Sequence, residues 1–159
     1  MSDTIVAVAR RAVFVILVVA MVGVLIELLL LEHFEDAWQL TPVVLLGVGL
    51  LAVVWHARAR SVWSVRILRG VMTLSLVSGL LGVFLHYRGN AEFELEENPN
   101  VTRWALFREA MMGATPALAP GVMVQIGLLG LLYAFLSGKA KMADVRIQNS
   151  EFRKGSSEF

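Results

Sequence analysis

Four long apolar runs, separated by polar segments, organise this chain. The runs cover about residues 12–31, 42–56, 69–87 and 116–137. A helix of about 20 apolar residues crosses the hydrocarbon core of a bilayer and satisfies its own backbone hydrogen bonds there. We therefore predict an all-α fold, an integral membrane four-helix bundle forming one domain over residues 1–138. A polar tail covers residues 139–159, and from Lys154 onward it has the composition of an added linker.

The distribution of charge between the linkers predicts the orientation of the bundle. The N-terminus, the second linker and the tail carry 11 of the 14 basic residues, whereas the first and third linkers carry 8 of the 13 acids. Lys and Arg are enriched in cytoplasmic flanks. We therefore expect both termini to be cytoplasmic, and a bacterial inner membrane to be the location.

The third linker contains the pattern of a further helix. Asn98 and Pro99 have the residue types of a helix start. Apolar residues then recur at the spacing of one helical face, at Val101, Trp104, Phe107 and Met111. We predict an interfacial amphipathic helix over about residues 99–112, lying on the outer membrane surface. The alternative is that this helix packs on the protein's own loops.

Three smaller features complete the predicted elements. Thr41 followed by Pro42 predicts the start of the second span. Residues 91–96 alternate with period two after a turn at Gly89 and Asn90, which predicts a short extended segment. Two prolines, Pro116 and Pro120, predict a break in the helix before the last span, either a short re-entrant piece or, as the favoured interpretation, a rigid corner that joins the outer-loop helix to the span.

One carboxylate, Glu27, lies inside the first apolar run. An ionisable group at the centre of a membrane helix costs roughly 2.5–3.5 kcal/mol on insertion scales, and less near an end. Ala20 and Gly23 share its helix face and permit close helix approach, so we expect Glu27 to face the bundle interior. Helix geometry places other polar side chains at a similar depth. The predicted intramembrane polar site comprises Glu27, Gln125, His86 and Arg88.

Three interpretations of this polar site stay open. Glu27 could bind a cation or relay protons. It could instead form an ion pair with Arg88 or a hydrogen bond with Gln125 that holds the helices in register. It could also reach the outer interface and be hydrated.

Two clusters of charge flank the predicted bundle. A possible cation-attracting outer surface comprises Glu32, His33, Glu35, Asp36, Glu92 and Glu94. The simpler interpretation is a set of solvated acids, because no spacing matches a metal motif. On the other side, four arginines accompany Trp55 and Trp63 and are expected to contact lipid headgroups, unless they serve as a topology signal alone. These are Arg58, Arg60, Arg66 and Arg69.

Small residues recur along the third and fourth spans. They are Ser75, Ser78, Gly79, Gly82, Gly127, Gly130 and Ala134. Strips of this kind allow close helix contacts, and we expect ordinary packing within the bundle here, with a dimerisation face as the alternative.

The remaining composition narrows the function. The chain has no cysteine, a net charge of +1 and no phosphate-binding glycine loop, zincin motif or serine nucleophile elbow. We predict no enzyme activity, no cofactor, no metal site and no nucleic-acid partner. An intramembrane enzyme using Glu27, His86 and Arg88 is disfavoured, because these spans supply few polar residues.

Two functions remain. The first is a cation- or proton-linked channel or transporter subunit acting as a homo-oligomer. The alternative is a non-catalytic accessory or assembly subunit of a larger membrane complex. In both cases the expected partners are the lipid bilayer and other copies or other membrane subunits.

Overall fold

The described part of the chain forms five helices. The computed structural model describes residues 3–113 and 116–155, with side chains over residues 4–113 and 116–138. The helices are α1 (Asp3–Leu30), α2 (Ala37–Ala59), α3 (Val62–Glu97), α4 (Arg103–Met112) and α5 (Gly121–Gly155). All except α4 contain a stretch long and apolar enough to cross a membrane. The predicted all-helical fold with four apolar spans is confirmed.

Helix α2 begins earlier than predicted. The Asp36 carboxylate accepts hydrogen bonds from the backbone N–H groups of Trp38 and Gln39, at 2.7 and 2.8 Å, and so caps the helix. The prediction of a start at Thr41 and Pro42 was therefore wrong. Pro42 lies inside α2, in its second turn.

The second linker is much shorter than its charge pattern suggested. Only Arg60 and Ser61 separate α2 from α3. Arg60 ends α2 in the left-handed conformation, with φ of 45°. Ser61 and Ser64 then form a capping box, in which each side chain accepts a hydrogen bond from the other residue's backbone N–H at 3.0 Å. A sharp reversal results, and it places the ends of two spans side by side.

Helix α3 continues well beyond its predicted end. It has 36 residues, so its length is about 54 Å at 1.5 Å per residue, compared with about 30 Å for the hydrocarbon core. The turn predicted at Gly89 and Asn90 and the extended segment over residues 91–96 are helical. Both predictions were wrong, because the helix stops only at its C-cap, Asn98.

Helix α4 packs on the far end of α3. It begins at Arg103, with Thr102 as its N-cap, rather than at Pro99 as predicted. The Asn90 amide donates a hydrogen bond to the Ala110 carbonyl at 2.8 Å. Phe107 contacts Tyr87, with ring centroids 6.0 Å apart. Trp104 stays on the outside, 73% exposed.

The chain turns sharply before α5. Hydrogen-bonded turns run from Pro116 to Pro120, and α5 starts at Gly121. Proline fixes the local backbone and favours such a corner over a continuous helix. Residues 114–115 and 156–159 lie outside the described part. The helix itself continues past Ser137, the predicted end of the span, to Gly155.

Small residues bring α3 and α5 into direct backbone contact. A Cβ added at Gly79 would lie 2.7 Å from the Val124 nitrogen, and one at Gly127 would lie 2.7 Å from the Met72 carbonyl oxygen. Position numbers rise along α3 as they fall along α5, so the two helices are antiparallel. The small-residue strips therefore serve packing within the chain.

The spans enclose one apolar core. Helix α1 contacts α2 and α5, and α3 contacts the same two helices from the other side. The core centre is fully buried and comprises Leu17, Met21, Leu46, Leu68, Met72 and Ile126. Because these side chains fill the space between the helices, the centre of the described bundle is a packed interior.

Candidate functional site

The two ends of the bundle have opposite charge. The basic end contains the start of α1, the α2–α3 turn and the part of α5 near Ser137. The acidic end contains the α1–α2 turn, the far end of α3 and α4.

The structure places Glu27 on the outside of the bundle. Its side chain is exposed on α1, and among the described residues it has neither a hydrogen bond nor an ion pair. Gly23, one turn earlier, is exposed too, and an added Cβ there would meet no atom within 4 Å. The expectation that Glu27 faces the interior was wrong, because Gly23 contacts no other described helix. The small residues that bring helix backbones into contact are Gly79 on α3 and Gly127 on α5.

The other three residues of the predicted polar site are not joined to Glu27. Gln125 is exposed on α5. Arg88 forms an ion pair with Glu92 at 2.7 Å, one turn further along α3. His86 is half-buried, and its Nδ1 has no hydrogen-bond partner. The structure therefore shows no contact pairing Glu27 with Arg88 or Gln125 within one chain.

Several acids of the predicted cation-attracting surface form hydrogen bonds or ion pairs with residues close to them in sequence. Asp36 caps α2, and Glu92 pairs with Arg88. Both Glu35 and Glu94 have partners through their backbone. Within residues 4–113 and 116–138, no three His, Asp or Glu side chains are grouped as metal ligands would be.

A more organised polar site lies at the basic end. Residues of four helices line a partly open cavity of about 270 Å³. Its wall comprises Arg10, His56, Arg60, Ser61, Val62, Val65, Arg69, Ser137 and Gly138. A second cavity of about 160 Å³ shares Arg10 and Arg60 and extends to Phe14 and Tyr133.

His56 is the buried centre of this site. It is 4% exposed, and its Nδ1 lies 2.9 Å from the Ser64 hydroxyl oxygen. Tyr133 presents its ring to the imidazole at near-perpendicular geometry, with centroids 5.8 Å apart. Phe14 contacts the same tyrosine at 5.6 Å. The imidazole thus has a defined orientation, while its Nε2 has no hydrogen-bond partner in the described structure.

The Ser64 hydroxyl decides which imidazole nitrogen is the donor. Its oxygen lies 3.0 Å from the Ser61 carbonyl oxygen and 2.9 Å from His56 Nδ1. A hydroxyl has one proton to donate. When Ser64 donates to the carbonyl, Nδ1 carries the ring proton and donates to Ser64. When Ser64 donates to Nδ1, the ring proton of a neutral His56 is on Nε2.

The arginines of this end fall into two groups. Arg10, Arg60 and Arg69 line the larger cavity. Arg58 and Arg66 line neither cavity, and the Arg66 guanidinium lies 5.4 Å from the Trp63 ring centre. Among the residues with described side chains, no carboxylate lines either cavity. The four arginines that the sequence groups together are therefore structurally distinct.

Sequence reasoning missed His56, Ser64 and Tyr133. A histidine at the end of an apolar span, followed by arginines, was the available signal for His56. No sequence pattern around Tyr133 identifies it as a site residue, because it comes from another span about 80 positions after His56. Comparisons of this chain with known protein families, curated proteins and solved structures gave no match.

Proposed function

We propose that this protein is a non-enzymatic subunit of a membrane assembly, in which α1 contacts another transmembrane segment. The exposed Glu27 carries the proposal. It lies on an apolar helix, beside an open glycine, and its side chain has no hydrogen-bond or ion-pair partner among the described residues.

The energetics favour a partner for this carboxylate. An unpaired polar group facing lipid is unfavourable, and side chains that hydrogen-bond across helices offset that cost. Gly23 allows a second helix to approach closely enough for this. Helix α1 also has the least covered span, with 11% of its most apolar stretch buried, against 39% in α5.

A cation- or proton-conducting homo-oligomer is the second candidate. The apolar core fills the centre of the bundle, so a conduit would have to form between protomers. Glu27 lies on the outside, where such a conduit would run, and the acids at the same end would concentrate cations at its mouth.

The charge pattern supports an orientation for the assembly. The basic end faces the cytoplasm and the acidic end faces outward, as in a bacterial inner membrane protein. In that arrangement α4 lies at the outer interface, and its exposed Trp104 enters the headgroup region.

Photocrosslinking in native membranes, from a maleimide-linked photoreactive probe on a single introduced cysteine, tests the α1 contact with a partner of any composition. The natural chain has no cysteine, so a single Gly23→Cys variant gives an unambiguous position. We expect efficient crosslinks from Gly23→Cys and from Ile26→Cys. Phe84→Cys, an exposed position near the same end of α3, is the matched control and should react little. Equal yields at all three positions, or none at any, would contradict the proposal.

The identity of the crosslinked partner, together with a flux assay, distinguishes the two proposed functions. A crosslinked pair of identical chains, together with proton or cation flux in liposomes that Glu27→Gln abolishes, supports the conducting homo-oligomer. Crosslinks to a different membrane protein and silent liposomes support the accessory subunit.

A further inference from the structure

We infer that the cavity at the basic end binds a phosphate-bearing anion, held by Arg10, Arg60 and Arg69 with His56 in the wall. The ligand is either a phospholipid headgroup or a soluble phosphate compound. This inference concerns the opposite end of the bundle from Glu27 and stands independently of the proposed function.

Charge is the first argument. Three guanidinium groups from three separate parts of the chain line one cavity. The ion pairs of the described side chains, Arg88–Glu92 and Arg108–Glu109, are both at the acidic end. Like charges that converge without a counterion destabilise the fold, and a bound anion removes that repulsion.

The chemistry of the donors favours phosphate over a carboxylate. Each guanidinium presents a planar fork of N–H donors, which matches phosphate oxygens two at a time. The hydroxyl groups of Ser61 and Ser137 add donors to the same wall. A carboxylate has two oxygens to offer, whereas a phosphate monoester offers three, so it satisfies more of this set.

His56 is the second, independent observation. His56 is only 4% exposed and it lines the cavity. Its Nε2 has no hydrogen-bond partner in the described structure. Buried polar atoms are almost always paired, so an unpaired one indicates a missing partner. With the Ser64 hydroxyl turned toward Nδ1, the ring proton of a neutral His56 is on the unpaired Nε2.

The backbone around the cavity is fixed before any ligand arrives. The Arg60 N–H donates to the His56 carbonyl at 3.0 Å, which closes α2. The Ser61–Ser64 capping box opens α3 immediately afterwards. Arg60 therefore projects from a turn with defined geometry at both sides, and a prepared site of this kind loses little entropy on binding.

The volume of the cavity limits the size of the ligand. About 270 Å³ is below the roughly 300–1,000 Å³ typical of sites for drug-sized molecules. One phosphate group with a small substituent fits these dimensions. The second cavity extends past the apolar rings of Phe14 and Tyr133, and it offers a path for the remainder of the ligand.

Binding measurements on the full-length purified protein test this inference. The probes are short-chain phosphatidic acid, glycerol 3-phosphate and inorganic phosphate, with diacylglycerol as the uncharged control. Arg69→Gln and Arg60→Gln remove cavity charges, and because both side chains are partly exposed the fold should tolerate them. Arg58→Gln is the matched control, since it removes the same charge from the same end outside the cavity.

We expect saturable binding of one phosphate compound per chain. Arg69→Gln and Arg60→Gln should each weaken it at least about tenfold, the effect of losing one charge-assisted hydrogen bond. Arg58→Gln should change the affinity less than about threefold. Binding of phosphatidic acid alone identifies a lipid headgroup site, and comparable binding of glycerol 3-phosphate or phosphate identifies a soluble ligand. Absence of saturable binding, or an equal loss in all three variants, would overturn the inference.

Discussion

His56 Nδ1 lies 2.9 Å from the Ser64 hydroxyl oxygen, and this contact joins the last turn of α2 to the first turn of α3. Both residues are buried, at 4% and 0% exposure. The same serine completes the capping box of α3. One side chain therefore holds the turn between two spans and orients the imidazole at the basic end.

Removing the Ser64 hydroxyl should destabilise the bundle. Ser64→Ala leaves His56 Nδ1 without a partner and removes half of the capping box, so we expect a loss of about 1–3 kcal/mol in unfolding free energy. Chemical unfolding in detergent, followed by circular dichroism, measures it. Thr73→Ala, at an exposed position of the same helix, should change the free energy by less than about 0.5 kcal/mol.

A double-mutant cycle shows whether the two residues interact. Replacing both by apolar groups, as His56→Phe with Ser64→Ala, removes both partners of the imidazole–hydroxyl contact together, so neither is left without the other. The double variant should lose clearly less stability than the two single losses together. Strict additivity would show that the contact contributes nothing.

The α3–α5 contact should be intolerant of a single added methyl group. At Gly127 a Cβ would meet backbone atoms of α3, at 2.7 Å from Met72 oxygen and 2.8 Å from Leu76 nitrogen. Backbone cannot move aside as a side chain can, so Gly127→Ala should destabilise the protein by about 1–3 kcal/mol. Gly70→Ala is the control, since an added Cβ there meets nothing within 4 Å. That variant should be neutral or slightly stabilising, and equal losses at both positions would contradict the packing described.

Helix α4 should depend on Asn90 for its attachment. The Asn90 amide donates to the Ala110 carbonyl from a buried position, at 2.8 Å. Asn90→Ala should accelerate amide hydrogen exchange across Arg103–Met112 while exchange in the cores of α2 and α5 stays unchanged. Asn100→Ala, in the exposed segment before α4, should leave the exchange in α4 as it is. Unchanged α4 exchange in Asn90→Ala would mean that other contacts hold the helix.

The exposed face of α4 should lie at the membrane surface. Trp104 is 73% exposed and stacks on Phe107, with ring centres 5.6 Å apart. In a variant retaining Trp104 as its single tryptophan, lipids brominated near the headgroup should quench the fluorescence more than lipids brominated near the chain ends. Fluorescence that neither lipid quenches would place α4 in water.

Impermeant maleimide labelling of intact cells should report the orientation. The acidic end is expected outside, so Asn100→Cys should be labelled without permeabilisation. Arg58→Cys, at the basic end, should be labelled only after the membrane is opened. The reverse pattern would invert the assigned topology.

The spans were predictable because a membrane helix needs a continuous apolar stretch, which hydropathy alone reveals. The first residue of α2 was not predictable, because two residues of N-cap type lie close together in the sequence. Asp36 and Thr41 are both residue types favoured at an N-cap, and only the folded turn shows that Asp36 is used. The alternation of residues 91–96 predicted an extended segment where the chain is helical. A few positions of period two do not prevent a long helix from continuing.

The candidate site was harder to predict than the fold. The small residue Gly23 suggested that Glu27 faces inward, yet Gly79 and Gly127 form the close contact. A small residue allows another helix to pack closely against it, but the sequence does not show which small residues are used in this way. The basic cavity requires three segments distant in sequence, and His56 belongs to it through the pairing of α2 with α3 and α5.

A density map of the full-length protein in a lipid nanodisc tests the central claim most directly, since it shows what contacts Glu27. The account predicts a second transmembrane helix packed against Gly23, with a polar group within hydrogen-bond distance of the Glu27 carboxylate. Glu27 surrounded by lipid or by water, with no helix against that face of α1, would contradict it.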